Sequence, residues 1–394
     1  MRRLTSLLLI ISIVLSCLCI SGCNRTEEEF PNLVFADSEA EMTSVDNEDR
    51  SASTGDFHEL TVALPLSEHT VDLLMKLYYA KNNGLFPQEM TGADIGIEYL
   101  EAINTPWVVN TITTTTTGET ASIIESLIAE ESAPDLFLAW NIDDMISYDL
   151  IIPFDEYLSD RGNISSYSIY LNALDTLRTG DQHYGLPFYS TVYLLAGSRE
   201  YLPESGVPAF NISKEDLLEY IRSIPPMNSE GTSYITRFYD ASELIPFMGE
   251  EFAGSISDGG LSSTVDSFGA DPRVSRLCGM WLMNSGEITT WETYYPDGLY
   301  FTMLPSDNVN AVVYPVCLSS SCTDPEFAAE FASFICFDSD AQMLLRRLEP
   351  LRGFFPPVTS RGVWNEIFDD PVFGSQAMLY EQYIADADFT VAED

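Results

Sequence analysis

The stretch HYGLPFYSTVYLLAGSREYL, from His183 to Leu202, is apolar enough for a buried strand yet carries a glycine and a proline near its start. Pro187 offers no N–H to a hydrogen-bond ladder, and its ring drives Leu186 into an extended conformation. The run therefore cannot sit as an ordinary central strand. Any fold that contains it needs an irregular passage of backbone at that point.

The flanking sequence reads as α/β. ELTVALPL (Glu59 to Leu66) opens with a strand, and HTVDLLMKLYYAKNNGLF follows as a helix with Val71, Leu74, Leu77 and Tyr78 on one face. Thr70 caps its start in this reading and Asn83-Gly84 ends it. TPWVVNTITTTTTG is β-branched enough for a strand, with the threonine tract as strand filler. ETASIIESLIAEESA is then a helix with Ile123, Ile124, Leu127 and Ile128 inward, and PDLFLAW (Pro134 to Trp140) a short, wholly apolar strand. Strand, helix, apolar strand is a βαβ unit. In open α/β sheets ligands lie beyond the carboxyl ends of strands, which puts Trp140, Asn141 and Asp143 at the lip of any cleft. An aromatic there serves equally to cover the sheet end.

Three later helices are core elements by their stripes. SKEDLLEYIRSI carries a Ser213/Asp216 capping pattern with Leu217, Leu218 and Ile221 on one side. TDPEFAAEFASFICF has Asp324 as N-cap, Pro325 at the first helical position, and Phe327, Phe331, Phe334 and Ile335 inward. DSDAQMLLRRLEPLRGFFPPVTS adds a helix with Arg346 and Arg347 in its last turn, stopped by Pro350 and Gly353.

The 394 residues favour about two domains, and 45% hydrophobic with 12% aromatic content rules out wholesale disorder. At the N-terminus, Arg2 and Arg3 precede the apolar LLLIISIVLSCLCI (Leu7 to Ile20), with Ser21 and Gly22 before Cys23. This is the pattern of a signal peptide over residues 1–22, and the apolar run is shorter than the roughly 20 residues a bilayer-spanning helix needs. ISGC also resembles a bacterial lipobox, which implies Cys23 as the lipid attachment site. Residues 23–57 hold ten acidic residues and few apolar ones, so they are expected to form an extended, disordered tether, with the folded body starting near His58.

Net charge is −43, and only Lys76, Lys81 and Lys214 supply lysine. That excludes nucleic acid and electrostatic docking on anionic lipid as partners. The acidity itself fits either adaptation to the medium and solubility or an acidic pocket for a cation. Cys317 and Cys322 are spaced to close a small loop or to remain two thiols, and no histidine sits at metal-ligand spacing. Phosphate loops, metalloprotease helices, nucleophile elbows and EF-hand loops do not occur. Acidic pairs such as Asp143/Asp144 or Glu250/Glu251 arise freely among 61 carboxylates. What stands out is a set of aromatics in irregular contexts: Trp107, Trp140, Tyr189, Tyr193, Trp291, Tyr314, Phe354 and Phe355. Aromatic faces pack on the C–H faces of sugars while carboxylates and amides bond the hydroxyls.

APDLFLAWNIDDMISYDLIIPFDEYL, YGLPFYSTVYLLAGSREYL, ISKEDLLEYIRSI and TDPEFAAEFASFICFDSDAQMLL followed by GFFPPVTS, in that order and spacing, resemble the extracellular solute-binding lipoproteins of bacterial ABC importers. The likeness is to the carbohydrate-type (family 1) group related to maltose-binding protein. It implies an α/β, two-lobed periplasmic-binding-protein-like fold (type II) with discontinuous lobes joined by hinge segments. Lobe 1 is then 58–188 with 315–358, and lobe 2 is 191–312 with 360–394. The Gly-Leu-Pro-Phe run looks like the first crossing, with Pro187 where the chain leaves one sheet for the other, and the return falls near Tyr314-Pro315. Carried over by position, the resemblance names Trp140, Asp143, Tyr189, Thr191, Trp291 and Phe354 as ligand-binding residues. The segment GMWLMNSGEITTW departs from the family pattern before Trp291, and ALPLSEHT lacks the aromatic usual after the first strand.

The implied function is a monomeric receptor without cofactor or metal. It is lipid-anchored on the outer face of the cell membrane, captures a small oligosaccharide and delivers it to an ABC permease. The alternatives are a receptor of the same fold for a polyamine or other cation, a surface glycan hydrolase, and an adhesion or sensing module.

Overall fold

The computed structural model describes residues 57–87, 91, 96–112, 114, 127, 133–158, 167–227, 231, 233–263, 271–295, 298–305, 310–370 and 377–392. The expected signal peptide, Cys23 and the acidic segment up to Asp56 lie outside the described residues, as does most of the helix read over 119–133, of which Leu127 is helical and buried and Ala133 is in neither helix nor strand. No helix among the described residues is long and apolar enough to cross a membrane.

In chain order the elements that frame the site are β1 (Glu59–Ala63), α1 (Glu68–Asn82), β2 (Val108–Thr111), β3 (Leu136–Leu138), α2 (Ile142–Ser147) and β4 (Leu186–Ser198). Then follow α3 (Lys214–Ser223), β5 (Thr236–Phe238), β6 (Cys278–Asn284), α4 (Ile288–Tyr294), β7 (Leu299–Met303), β8 (Asn310–Ser319), α5 (Pro325–Phe337), α6 (Ser339–Leu348) and β9 (Asp388–Val391). The capping signals are legible. Asp324 accepts the Phe327 N–H at the start of α5, and Ser213 accepts the Asp216 N–H at the start of α3. At α1 the cap is Ser67, not Thr70. The Ser67 hydroxyl accepts the Thr70 N–H, which puts Glu68 in the first turn, where the helix dipole favours an anion. On α3, Leu217, Tyr220 and Ile221 are buried while Leu218 is only half-buried, so Tyr220 takes the place expected of Leu218.

Strands β2, β1 and β3 are parallel, with β1 in the middle, and β3 carries the wholly buried run Leu136, Phe137 and Leu138. β8 then pairs antiparallel with β3 and, on its other side, with β4. From Tyr193 onward β4 pairs with β6 and β7, and β5 lies parallel to β6 at the far edge. Thus β4 is one continuous strand serving two sets of partners: β8 up to Val192, then β6 and β7. Helices α5 and α6 join α1 and the β1 side in one core, while Ile221, Phe238, Met280 and Tyr300 anchor a separate core under β5 to β7.

The proline of the opening stretch finds its place in this ladder. Pro187 lies directly opposite Pro315, and the register slips between Tyr314 and Pro315, so that Phe188 is skipped. Neither proline can donate to the ladder, and facing each other at a bulge neither needs to. The Pro315 carbonyl instead accepts the Ala139 N–H at 3.0 Å, tying β8 to the end of β3. The change of partners comes at Val192 and Tyr193, beyond the proline, so the bulge precedes the switch rather than marking it.

A third segment runs alongside. Ser190 and Phe355 exchange backbone hydrogen bonds of 2.9 and 2.7 Å, laying the RGFFPP segment beside β4. It is pinned by Ser285, whose hydroxyl donates to the Gly353 carbonyl at 2.5 Å and accepts the Val192 N–H at 3.1 Å. Arg352 adds ion pairs to Glu292 (2.6 Å) and Asp370 (2.9 Å). All four cysteines of the body are free, so Cys317 and Cys322 are two thiols. Cys317 is buried within β8, and burial pushes the Cys322 thiol up to about 12, which keeps it an unreactive thiol at neutral pH.

Candidate functional site

Beside the Pro187–Pro315 bulge, rings from four segments meet. Trp140, just past β3, stands edge-on to Tyr314 of β8 with centroids 5.2 Å apart. Tyr314 lies 5.0 Å from Tyr189 of β4 and 6.1 Å from Phe354 of the third segment, and Tyr189 lies 4.6 Å from Phe354. Tyr314 is the hub of this run. Strand alternation explains its position: Tyr314 pairs with Tyr189 immediately before the bulge, and the third segment brings Phe354 over both.

Beside the rings is a cavity of about 420 Å³ lined by Tyr193, Tyr314 and Phe354, by Leu282, Met283 and Asn284 of β6, by Gly286, Glu287 and Thr290 after it, and by Glu243 and Arg273. Asn284 organises the floor. Its amide donates to the Thr191 hydroxyl at 2.9 Å and its carbonyl oxygen accepts the Gly286 N–H at 2.9 Å. The Tyr314 hydroxyl faces the same Thr191 and Asn284 side chains, while burial holds its pKa above the usual tyrosine value. Gly286 is small for a reason: a Cβ there would meet the Phe354 ring at 2.8 Å. Arg346 holds the Phe354 backbone, donating to its carbonyl at 2.9 Å.

Burial, opposed by Arg273 and reinforced by Asp240, Glu287 and Asp271, raises the Glu243 carboxyl to about 7. Asp271 is also partly buried, but its hydrogen bonds from Arg273 win and hold it below the usual carboxylate range. The Arg273 guanidinium lies 3.8 Å above the Tyr239 ring and 4.9 Å from the Trp291 ring. The arrangement can stack flat apolar faces on Tyr193, Tyr314 and Phe354 and bond hydroxyl groups through Asn284, Glu243 and Glu287.

The six residues named from the sequence fall into four groups. Phe354 lines the cavity, and Thr191 sits beneath it, fully buried and bonded to Asn284. Trp140 and Tyr189 belong to the ring run but are themselves buried, at 8% and 1% exposure, and so support the cavity wall through Tyr314. The Tyr189 hydroxyl is buried with no hydrogen-bond partner among the described residues, and burial pushes its pKa far up. Trp291 is buried against Trp281, with its indole N–H donating to Glu287 Oε2 at 2.9 Å, so it positions a lining residue and does not line the cavity. Asp143 is not brought to this place. It is exposed on α2, after the left-handed Asn141 (φ 53°), and borders a different cavity with Thr176 and Arg178.

Sequence reasoning flagged Tyr193 and Tyr314 as aromatics without selecting them, and passed over Glu243, Arg273, Asn284 and Glu287. The last pair had a local signal. Asn284-Ser285-Gly286-Glu287 is an Asx-type cap at the end of a buried strand, where side chains reach a cleft.

The mixed α/β fold is shared with solved extracellular solute-binding proteins of ABC importers. It is similar to an ABC substrate-binding protein of Listeria monocytogenes solved with cycloalternan, at 12% identity and a TM-score of 0.60 over 85% of this chain and 88% of that one. A sugar transporter of Rhizobium etli in an open conformation matches at 14% identity and a TM-score of 0.60, covering 85% and 89%. The GacH receptor of Streptomyces glaucescens, solved unliganded and with acarbose, matches at 14% identity and a TM-score of 0.57, covering 85% and 88%. No protein-family model matches the sequence, and no curated protein does.

Proposed function

We propose that this chain is an extracellular receptor that captures a small oligosaccharide in the cavity beside Tyr314 and hands it to an ABC permease in the membrane. The observation that carries the reading is the pairing of stacking surfaces with hydroxyl-bonding groups: Tyr193, Tyr314 and Phe354 beside Asn284, Glu243 and Glu287. Two of the structural neighbours were solved with cycloalternan and with acarbose, which supports a saccharide as the solute. In this reading the protein binds and breaks no bond, acts as a monomer, and is held at the outer face of the cell membrane through a lipid on Cys23. The lobes are 58–188 with 315–358 and 191–312 with 360–394. They close on the solute by bending at β4, β8 and the RGFFPP segment. The change of partners along β4 supports this division.

A second reading, a receptor for a polyamine or similar cation, is favoured by Glu243 and Glu287. The two separate in a thermal-shift screen of the mature chain against neutral di- and trisaccharides and against polyamines. A ligand at a hundredfold its Kd stabilises by about 2.7 kcal/mol, a Tm rise of several degrees. The proposal expects that rise with a saccharide, nearly unchanged at high salt. A rise with a polyamine alone, collapsing with salt, replaces it with the second reading.

A further inference from the structure

Charge around the cavity is one-sided. Arg273 is the one cation among the described residues that line it, and its guanidinium is already taken by Asp271. Nη2 lies 2.8 Å from Oδ2, and Nε lies 3.2 and 3.1 Å from the two carboxylate oxygens. That pair is neutral as a unit and is clamped over Tyr239 and Trp291. The Glu287 carboxylate accepts the Trp291 indole N–H at 2.9 Å. Glu243 lines the cavity and is half-buried, and among the described residues its carboxylate is given no hydrogen bond. Arg273 is thus shared among Asp271, Glu243 and the nearby acids, and with Glu243, Glu287, Asp240 and Asp271 around one guanidinium the charge about the cavity is net negative.

We infer that the cavity selects its saccharide by charge, admitting neutral and amino-bearing oligosaccharides and rejecting those that carry carboxylates. The inference rests on the saccharide reading above. Its physical basis is repulsion at short range, where a like charge acts against the wrong ligand, and the half-buried Glu243 is screened by salt less than the exposed Glu287. The protein's overall charge of −43 adds a field of the same sign. The rejection depends on pH through Glu243. The charged groups that face it are Arg273, Asp240, Glu287 and Asp271, and with burial they bring its carboxyl to about 7. As pH falls through that value Glu243 takes a proton, while a uronate ligand stays ionised. Repulsion therefore relaxes towards acid.

The test is calorimetric titration of the mature chain with two matched sets: maltotriose and mannotriose, each beside the trimer of the same linkage oxidised to the carboxylate at C6, with the glucosamine trimer as the cationic probe. At about pH 8 the carboxylated trimer is expected to bind at least about tenfold more weakly than the neutral trimer of its set. The gap is expected to narrow at about pH 5.5, and the glucosamine trimer to bind no more weakly than the better neutral one. The Glu243→Gln, Glu287→Gln double variant is expected to lose the discrimination, and the wild-type comparison stands even if that variant does not fold. Equal affinity for neutral and carboxylated trimers, or a folded double variant that still rejects the carboxylate, overturns the inference. Failure of every trimer to bind overturns the saccharide reading and the inference with it.

Discussion

Gly353→Ala is expected to destabilise the protein by about 3 kcal/mol or more, read as a lowered denaturation midpoint in urea. Gly353 has φ +81°, a left-handed conformation that costs a residue with a Cβ roughly 1–2 kcal/mol. The larger part is steric: a Cβ at this position would sit 1.9 Å from the Ser285 carbonyl oxygen and 2.6 Å from its carbon. Both are backbone atoms in the turn that Ser285 pins to Gly353 and Val192, so neither can swing aside. Gly180→Ala isolates the conformational part, because Gly180 has φ +65° and a Cβ there would meet nothing within 4 Å. It is expected to cost only about 1 kcal/mol. Equal costs for the two substitutions contradict the tight seating of the third segment on Ser285.

The second large effect is on affinity. Tyr314→Ala and Phe354→Ala are each expected to weaken binding of whichever neutral trisaccharide gives the largest thermal shift, by about 2 kcal/mol or some thirtyfold. The two rings are neighbours at 6.1 Å, so the double variant should depart from additivity. Tyr314→Phe keeps the ring and removes the hydroxyl that faces Thr191 and Asn284, and it is expected to retain most of the affinity. Unchanged binding by isothermal calorimetry in Phe354→Ala places the sugar elsewhere. Trp140→Ala is a poorer probe than the sequence implied. Trp140 is 8% exposed and belongs to the core around α1 and α5, so its truncation carries about 3–5 kcal/mol of stability with it.

Much of the fold was readable because local signals and burial agree. Asp324-Pro325 and Ser213 with Asp216 start helices where capping chemistry says they should, and the apolar PDLFLA run became the buried strand β3. Pro187 announced an irregularity, but no local rule reveals that Pro315, far along the chain, stands opposite it, or that partners change only at Tyr193. The site was legible in part for the same reason. Aromatics at strand ends were visible, yet which of them faces the cavity depends on register: Tyr314 was one residue from the proline that drew attention, while Tyr189 turned inward. Glu243 and Arg273 come together from segments whose sequence carries no motif, so only the packing of the chain between β5 and β6 joins them.

The central claim is that two lobes close on a saccharide by bending at the crossing strands. Its most direct measurement is the distance between fluorophores on introduced cysteines, Tyr148→Cys and Tyr234→Cys, both exposed and expected on opposite lobes, in a Cys322→Ser background. Adding a saturating neutral trisaccharide is predicted to shorten that distance, with the same midpoint as binding and with no change in the Phe354→Ala, Tyr314→Ala protein at that concentration. A sugar that binds with full occupancy while the distance stays constant contradicts the account.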